Sequence, residues 1–235
     1  MKLCHSPSIG NFYTYDHEEC RITVNHEMAV QEFLLKNLKD DSVFVDVGAY
    51  IGLFSLIAST RIKTGKIYSF EPVQSSIEII KANVKLHNVK NITLLNKAIS
   101  NVTGEDHLFW REGAQCISRI YIHPRDNNVY HVEVIPTIKL DDFERDVKID
   151  FMKIDIEGSE VELFEGAKEF FKRNKDCIVI LELHNLQIEA RGIKLNDFIK
   201  NLSQDFDCYD LNLNKLNDFP FTGHFVLKPK KLEYI

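Results

Sequence analysis

No run in the 235-residue sequence is both uncharged and long enough to cross a bilayer, and the N-terminus lacks the apolar core of a secretory leader. Cysteine is sparse and unpaired: Cys4, Cys20, Cys116, Cys177 and Cys208 are odd in number, scattered, and include no Cys-x-x-Cys spacing. That argues against a disulfide framework or a zinc site and reads as reduced thiols inside a cell. No Pro-, Gly- or Ser-rich linker divides the chain, and neither an internal repeat nor a low-complexity tract is present. Positive charge is in deficit, with a formal net charge of −6, which argues against a polyanionic partner such as bulk nucleic acid. The short basic KPKK segment reads as a solvated terminus. The expectation is a cytoplasmic protein with no membrane and no nucleic-acid partner.

What is present suits a globular α/β protein, 44% hydrophobic and 27% charged. The most informative stretch is residues 43–72, VFVDVGAYIGLFSLIASTRIKTGKIYSFEP. VFVDV is β-branched and apolar enough for a buried parallel strand. Gly48 and Gly52 allow a tight turn with close approach to a ligand. The helix LFSLIASTRIK follows, and KIYSF forms a second strand closed by Glu71-Pro72. A right-handed crossover brings Asp46, the turn and Glu71 to one sheet edge, where open α/β sheets bind nucleotides.

The turn discriminates between ligands. A dinucleotide fingerprint needs G-x-G-x-x-G, but here the spacing is Asp46-x-Gly48-x-x-x-Gly52, with Tyr50 where the second glycine belongs. Tyr50 disfavours a pyrophosphate, whereas an acid before the turn suits a cationic or amine-bearing ligand and Glu71 suits a ribose diol. S-adenosylmethionine fits these features better than a nicotinamide dinucleotide. The plainer alternative is a strand–helix turn shaped by Gly48 and Gly52 in some other α/β protein.

The alternation continues on both sides. Met28 to Asp40 has helical spacing, and Ser75 with Glu78 fits a capping box ahead of another helix. NITLLNKAI reads as a third strand, and residues 101–142 as short β segments inserted in the α/β pattern. IDFMKIDIEG (strand), SEVELFEGAKEFFKRN (helix) and CIVILELH (strand) resume the rhythm, followed by a helix near LNDFIKNLSQ and the segments CYDLNLN and GHFVLKP.

Two further constellations carry chemistry. In KIDIEGSE, Asp155 and Glu157 end a central strand two residues apart, on one face. Ser159 with Glu162 fits a capping box, and Gly158 supplies the turn. Glu182 and His184 end the CIVILELH strand in the same way, and if the strands are neighbours the four groups converge. Asp155, Glu157, Glu182 and His184 are therefore the candidate catalytic residues, with His184 a possible general base and an incidental strand-end histidine the alternative. A metal held by these four is conceivable on ligand type, but no metal-specific spacing supports it and none is assigned.

VFVDVGAYIGLFSL, SFEP, TIKLDDF, FMKIDIEGSEVELFEGA and VILELH occur in the order and spacing of the FkbM family of S-adenosylmethionine-dependent methyltransferases. The chain resembles that family from about Met28 to His184. The resemblance implies a class I methyltransferase fold, Rossmann-like, with a seven-stranded mostly parallel sheet, helices on both faces and an antiparallel last hairpin. It implies a methyltransferase domain over 28–235, with a β-rich insertion at 101–142 and an N-terminal extension at 1–27. It also implies O-methylation of a hydroxyl on a sugar, glycan or related small molecule, with S-adenosylhomocysteine as product.

Carried over by position, Asp46, Gly48, Ala49, Tyr50 and Gly52 line the cofactor's methionine end, and Glu71 holds its ribose. Asn96 to Ala98 border the adenine, Asp155 and Glu157 form the acidic pair at the reaction centre, and Glu27 matches an N-terminal acid. Residues 1–25 and 107–131 match nothing in the family. There Trp110, Arg111, Arg119, Tyr121, His123 and Arg125 suit an acceptor pocket or ordinary hairpin packing. The rival functions are a nucleotide-dependent oxidoreductase and a non-catalytic cofactor-binding or assembly protein of the same fold.

Overall fold

The computed structural model describes residues 1–15, 27–111, 130–220 and 222–231. In chain order the elements are β1 (Lys2–Ser6), β2 (Gly10–Thr14), α1 (Met28–Asn37), β3 (Val43–Val47), α2 (Leu53–Arg61), β4 (Lys66–Phe70) and α3 (Gln74–Leu86). Next come β5 (Ile92–Leu95), β6 (Ala98–Ile99), β7 (Gly104–Trp110), β8 (His131–Ile138), a 3-10 turn (Leu140–Asp142), β9 (Phe151–Ile154), α4 (Glu160–Glu165) and α5 (Lys168–Arg173). The last are β10 (Ile178–Leu183), α6 (Asn185–Ala190), α7 (Leu195–Asp205), β11 (Phe206–Tyr209) and β12 (Gly223–Pro229). No helix among the described residues is long and apolar enough to cross a membrane.

Seven strands form the main sheet in the order β11-β12-β10-β9-β3-β4-β5. β10, β9, β3, β4 and β5 are parallel, and β12 runs antiparallel to both of its neighbours. This is the sheet expected from sequence, with its reversed last hairpin. The order turns back on itself between β3 and β9, so the crevice at their carboxyl ends is a topological switch point.

Helices cover both faces because the strands are apolar on both sides. Phe44, Phe151, Ile180 and Val226 pack against Val30, Phe33 and Leu34 of α1 and Phe54 and Ile57 of α2. Val45, Val47, Met152, Ile154 and Leu181 pack on the other face against Leu163, Phe170, Ile188, Phe198 and Leu202 of α4 to α7. Strand alternation sends Asp46 to the Phe44 face and Lys153 to the Phe151 face, which are the same face. The polar row of the site is thereby laid under α1 and α2.

Several local expectations are corrected. NITLLNKAI is two strands: β5 joins the main sheet, while β6 pairs with β8 in a separate sheet of order β6-β8-β7. Neither capping box forms. α3 begins at Gln74, which places Ser75 inside the first turn, and the Glu78 carboxylate accepts from Lys81 and Gln74. Ser159 precedes α4 without a side-chain cap, and Glu162 is held by Arg191. The helix expected over 159–174 breaks in two at Gly166, where the backbone presses against Ser100 and Asn101, just past β6. A Cβ built there would lie 2.3 Å from the Ser100 carbonyl oxygen.

The N-terminal residues form the β1–β2 hairpin, which docks on α3. Asn83 accepts from Tyr13 N and donates to Tyr13 O, and Phe12 is fully buried. In the small sheet, Trp110 stacks on His131 with ring centres 4.4 Å apart. Arg119, Tyr121, His123 and Arg125 lie outside the described residues, as do Cys20 and Cys116. Cys4, Cys177 and Cys208 are free thiols.

Gly166→Ala tests the break between α4 and α5. Its methyl group meets backbone, which cannot rotate away, so unfolding in urea should show a loss of about 1–3 kcal/mol, the usual cost of overpacking.

Candidate functional site

The chain leaves β3 through Gly48, whose φ of +83° and tight packing both require glycine: a Cβ would stand 1.9 Å from the Asp155 carbonyl oxygen. The loop is stitched to β4, because Gly48 N and Ala49 N both donate to Phe70 O, at 3.0 and 2.9 Å. Glu71 extends this clamp. Its carboxylate accepts from Tyr50 N and from Val73 N, each at 2.8 Å. Tyr50 takes a left-handed φ of +53°, a strained choice for a non-glycine residue, and its ring stacks on Tyr15. Asn83 donates to Ile51 O, which ties the loop to the N-terminal hairpin. Asn96 donates to the carbonyls of Glu71 and Pro72, and half-buried Ala98 opens β6.

Beside this loop lies a row of ionisable groups. Asp46, fully buried, accepts from Ser55 Oγ at 2.6 Å, and Ser55 also meets Ser69. Lys153 sits directly opposite Asp46 in the sheet register and is 1% exposed. Its ammonium donates to Asp155 Oδ2 at 2.8 Å, lies 3.8 Å from Glu27 Oε2, and stands over the Phe54 ring. Glu27 itself immediately precedes α1.

His184 is the second hub. Its Nδ1 pairs with Glu160 Oε1 at 2.8 Å, while Nε2 faces Asp155 Oδ1 and Glu157 Oε1 at 3.6 Å and Glu182 Oε1 at 4.0 Å. Glu157 has a left-handed φ of +54° and accepts from Gln187 Nε2 at 3.1 Å. On β12, His224 is the register partner of Glu182, and its Nε2 lies 3.1 Å from Glu182 Oε2.

These surroundings move the proton affinities. Burial pushes the Glu71 carboxyl up to about 8, against the pull of its two backbone donors. Burial also raises Glu157 to about 7, with His184 opposing, and Glu27 to about 6, with Lys153 opposing. Burial raises Asp46 as well. Asp155 feels burial too, but Lys153 and His184 outweigh it and hold its carboxyl below the ordinary value. Burial would lower His184, yet Glu160, Glu157 and Asp155 outweigh that and lift it to about 10. Lys153 is likewise raised, because Asp155, Glu27 and Asp46 overcome its burial.

The neighbouring parallel strands β9 and β10 therefore bring Asp155, Glu157, Glu182 and His184 together. Asp46 lies behind the loop, 0% exposed, whereas Gly48, Ala49, Tyr50, Gly52 and Glu71 form the loop and its clamp. Three participants had no role in the sequence reading. Lys153 and Glu160 stand inside the KIDIEGSE motif, where a lysine in a strand buried on both faces was the available signal. His224 emerges only from hairpin register.

Known proteins agree with this architecture. A family model described as "Methyltransferase FkbM domain" matches residues 46–213. Methyltransferase 1 of Beauveria bassiana is 23% identical over 149 residues, covering 55% of this chain and 60% of its own length. Methyltransferase sdnD of Sordaria araneosa is 24% identical over 166 residues, covering 57% of this chain and 64% of its own length. The chain thus matches less than two thirds of the length of these curated relatives. Among solved structures, the precorrin-6y C5,15-methyltransferase of Geobacter metallireducens has a TM-score of 0.51 at 15% identity, covering 96% of this chain and 99% of that one. The SAH-bound methyltransferase PaMTH1 of Podospora anserina also scores 0.51, at 11% identity, covering 88% and 79%. Likeness at such identity concerns the fold, which is that of the class I methyltransferases.

Lys153→Ala should expose how far the row depends on its ammonium. Removing the partner of buried carboxylates costs about 3–5 kcal/mol, so thermal unfolding near neutral pH should move down steeply. Part of that loss should return at acid pH, where Glu27 and Asp155 take up protons. An unchanged melting temperature would show that the row is not held by Lys153.

Proposed function

Because the chain belongs to the FkbM methyltransferase family, we propose that it moves a methyl group from S-adenosylmethionine to a hydroxyl oxygen of a small acceptor such as a sugar or glycan. The observation that supports this best is one crevice holding the Gly48 loop, the Glu71 clamp and the carboxylates ending β9 and β10.

The residues fit the methyl donor. Glu71 is 5% exposed, and two backbone N–H groups leave its carboxylate short of donors. A ribose diol offers two more. Gly48 and Gly52 bring no side chain to the loop and Ala49 only a methyl group, and the acids near Asp155 suit a cationic group. Tyr50, strained and stacked, stands where a dinucleotide site needs glycine. When bound, S-adenosylmethionine supplies a methyl carbon on a sulfonium leaving group.

The chain then has to align the acceptor oxygen and take its proton. Glu157 is the proton acceptor in this reading, since a carboxyl near 7 exchanges protons at neutral pH. His184, which the sequence offered as the base alongside the carboxylates of Asp155, Glu157 and Glu182, keeps its own proton near neutrality and serves to hold Glu157 and Asp155 in place. Glu160 fixes the ring from behind. Asp155 and Glu182 remain to accept hydrogen bonds from the acceptor's hydroxyls.

Two measurements check this. Hydroxyl donors favour the ionised form of Glu71, so S-adenosylhomocysteine binding should release a proton below pH 8. Calorimetric affinity should climb from pH 6 to about 8 and then level. Glu71→Gln should bind about ten-fold more weakly or worse, without that pH dependence; equal affinity would refute the ribose assignment. Glu157→Gln should lower methyl transfer to a hydroxylated acceptor panel by about 10²–10⁴-fold with S-adenosylhomocysteine affinity little changed.

A further inference from the structure

We infer that Glu27, Glu182 and His224 form a divalent-cation site at the flank of the proposed reaction centre. The three come from the start of α1, the end of β10 and the start of β12, and their ligand atoms lie within 4.8 Å of one another. Two of them fall outside the stretch matched by the family model, which ends at residue 213 and begins at residue 46.

The case rests on polar atoms left without hydrogen bonds. Glu27 is 8% exposed, and its Oε2 has no hydrogen-bond partner. Lys153 Nζ, at 3.8 Å, is too far for a hydrogen bond, and it already donates to Asp155. Lys153 therefore offsets its charge through space only, and a buried carboxylate oxygen without a donor still carries a desolvation cost that a directly bound cation would relieve. His224 Nε2 is buried and equally without a hydrogen bond, although Glu182 Oε2 stands 3.1 Å away. That geometry gathers an imidazole nitrogen and two carboxylates within 4.8 Å of one another, and with its proton on Nδ1 the His224 ring would offer Nε2 to a metal.

A neighbouring triad, Asp155, Glu157 and His184, has the same spacing but is already engaged. Asp155 accepts from Lys153, Glu157 accepts from Gln187, and the His184 ring pairs with Glu160. Glu27, Glu182 and His224 have no such hydrogen bonds among the described residues, so they are the set that gains most from a cation. Two carboxylates and one imidazole suit manganese, iron or zinc in the divalent state. Three protein ligands leave coordination positions open, as in catalytic metal sites.

Position gives the ion a use. Glu182 Oε1 is 4.0 Å from His184 Nε2, so the site adjoins the group that holds Glu157. An acceptor hydroxyl bound at an open position would lose its proton more readily. That use rests on the methyltransferase reading; the binding itself does not.

The test is a titration of Mn²⁺ into the full chain, followed by calorimetry and by electron paramagnetic resonance. The same measurements are made on His224→Gln and Glu27→Gln, each checked for folding by circular dichroism. Wild type should bind Mn²⁺, and both folded variants should bind about ten-fold more weakly or worse. Failure of wild type to bind Mn²⁺ overturns the inference. So does unchanged Mn²⁺ affinity in either folded variant, which would put the ion elsewhere. S-adenosylhomocysteine binding, titrated separately in metal-free buffer, keeps the two readings apart. If it persists while Mn²⁺ fails, only the cation site falls; if it fails while Mn²⁺ binds, only the methyl-donor reading falls.

Discussion

The carboxyl edge of this sheet is possible because one ammonium group is buried in it. Lys153 Nζ stands among Asp155, Glu27 and Asp46, in a strand covered on both faces. Isolated carboxylates at such depth would give up their charge or unfold the chain around them. Lysine answers Asp155 directly and the other two through space. The acids can then be carried in by strands whose other residues are purely apolar.

Around that charge the two halves of the crevice follow different physics. The Gly48 loop is shaped by backbone: paired N–H donors onto Phe70, a glycine pressed on the Asp155 carbonyl, and a strained Tyr50 held by stacking. The β9–β10 side is shaped by electrostatics, with His184 surrounded by Glu160, Asp155, Glu157 and Glu182. The Asp155 backbone links them, since its carbonyl abuts Gly48 while its side chain binds Lys153. Any shift of the loop is therefore felt by the charged row.

Much of this was legible in the sequence. VFVDVGAYIG to SFEP reads directly as strand, loop, helix and strand, because β-branched runs, glycines and a proline mark every boundary. The meeting of Asp155 and Glu157 with Glu182 and His184 followed from two strands each ending in alternate ionisable residues. What stayed hidden depends on long-range packing. Glu160 looks like an ordinary first-turn acid until α4 buries it against His184. Ser75 and Glu78 have capping-box spacing, but Pro72-Val73 starts the helix two residues earlier than that box needs. Nothing local distinguishes β5 from β6; the split arises because β8 offers Ala98 and Ile99 a partner outside the main sheet.

The reversed strand β12 has an implication for biosynthesis. It follows all the other described strands in the chain, yet it lies inside the sheet, between β10 and β11. A ribosome delivers it after its two neighbours, so these must wait with an open seam between them. His224 arrives with that strand. The cluster of Glu27, Glu182 and His224 is thus completed only by the closing insertion, and in a nascent chain the two carboxylates lack their imidazole neighbour until the seam is filled.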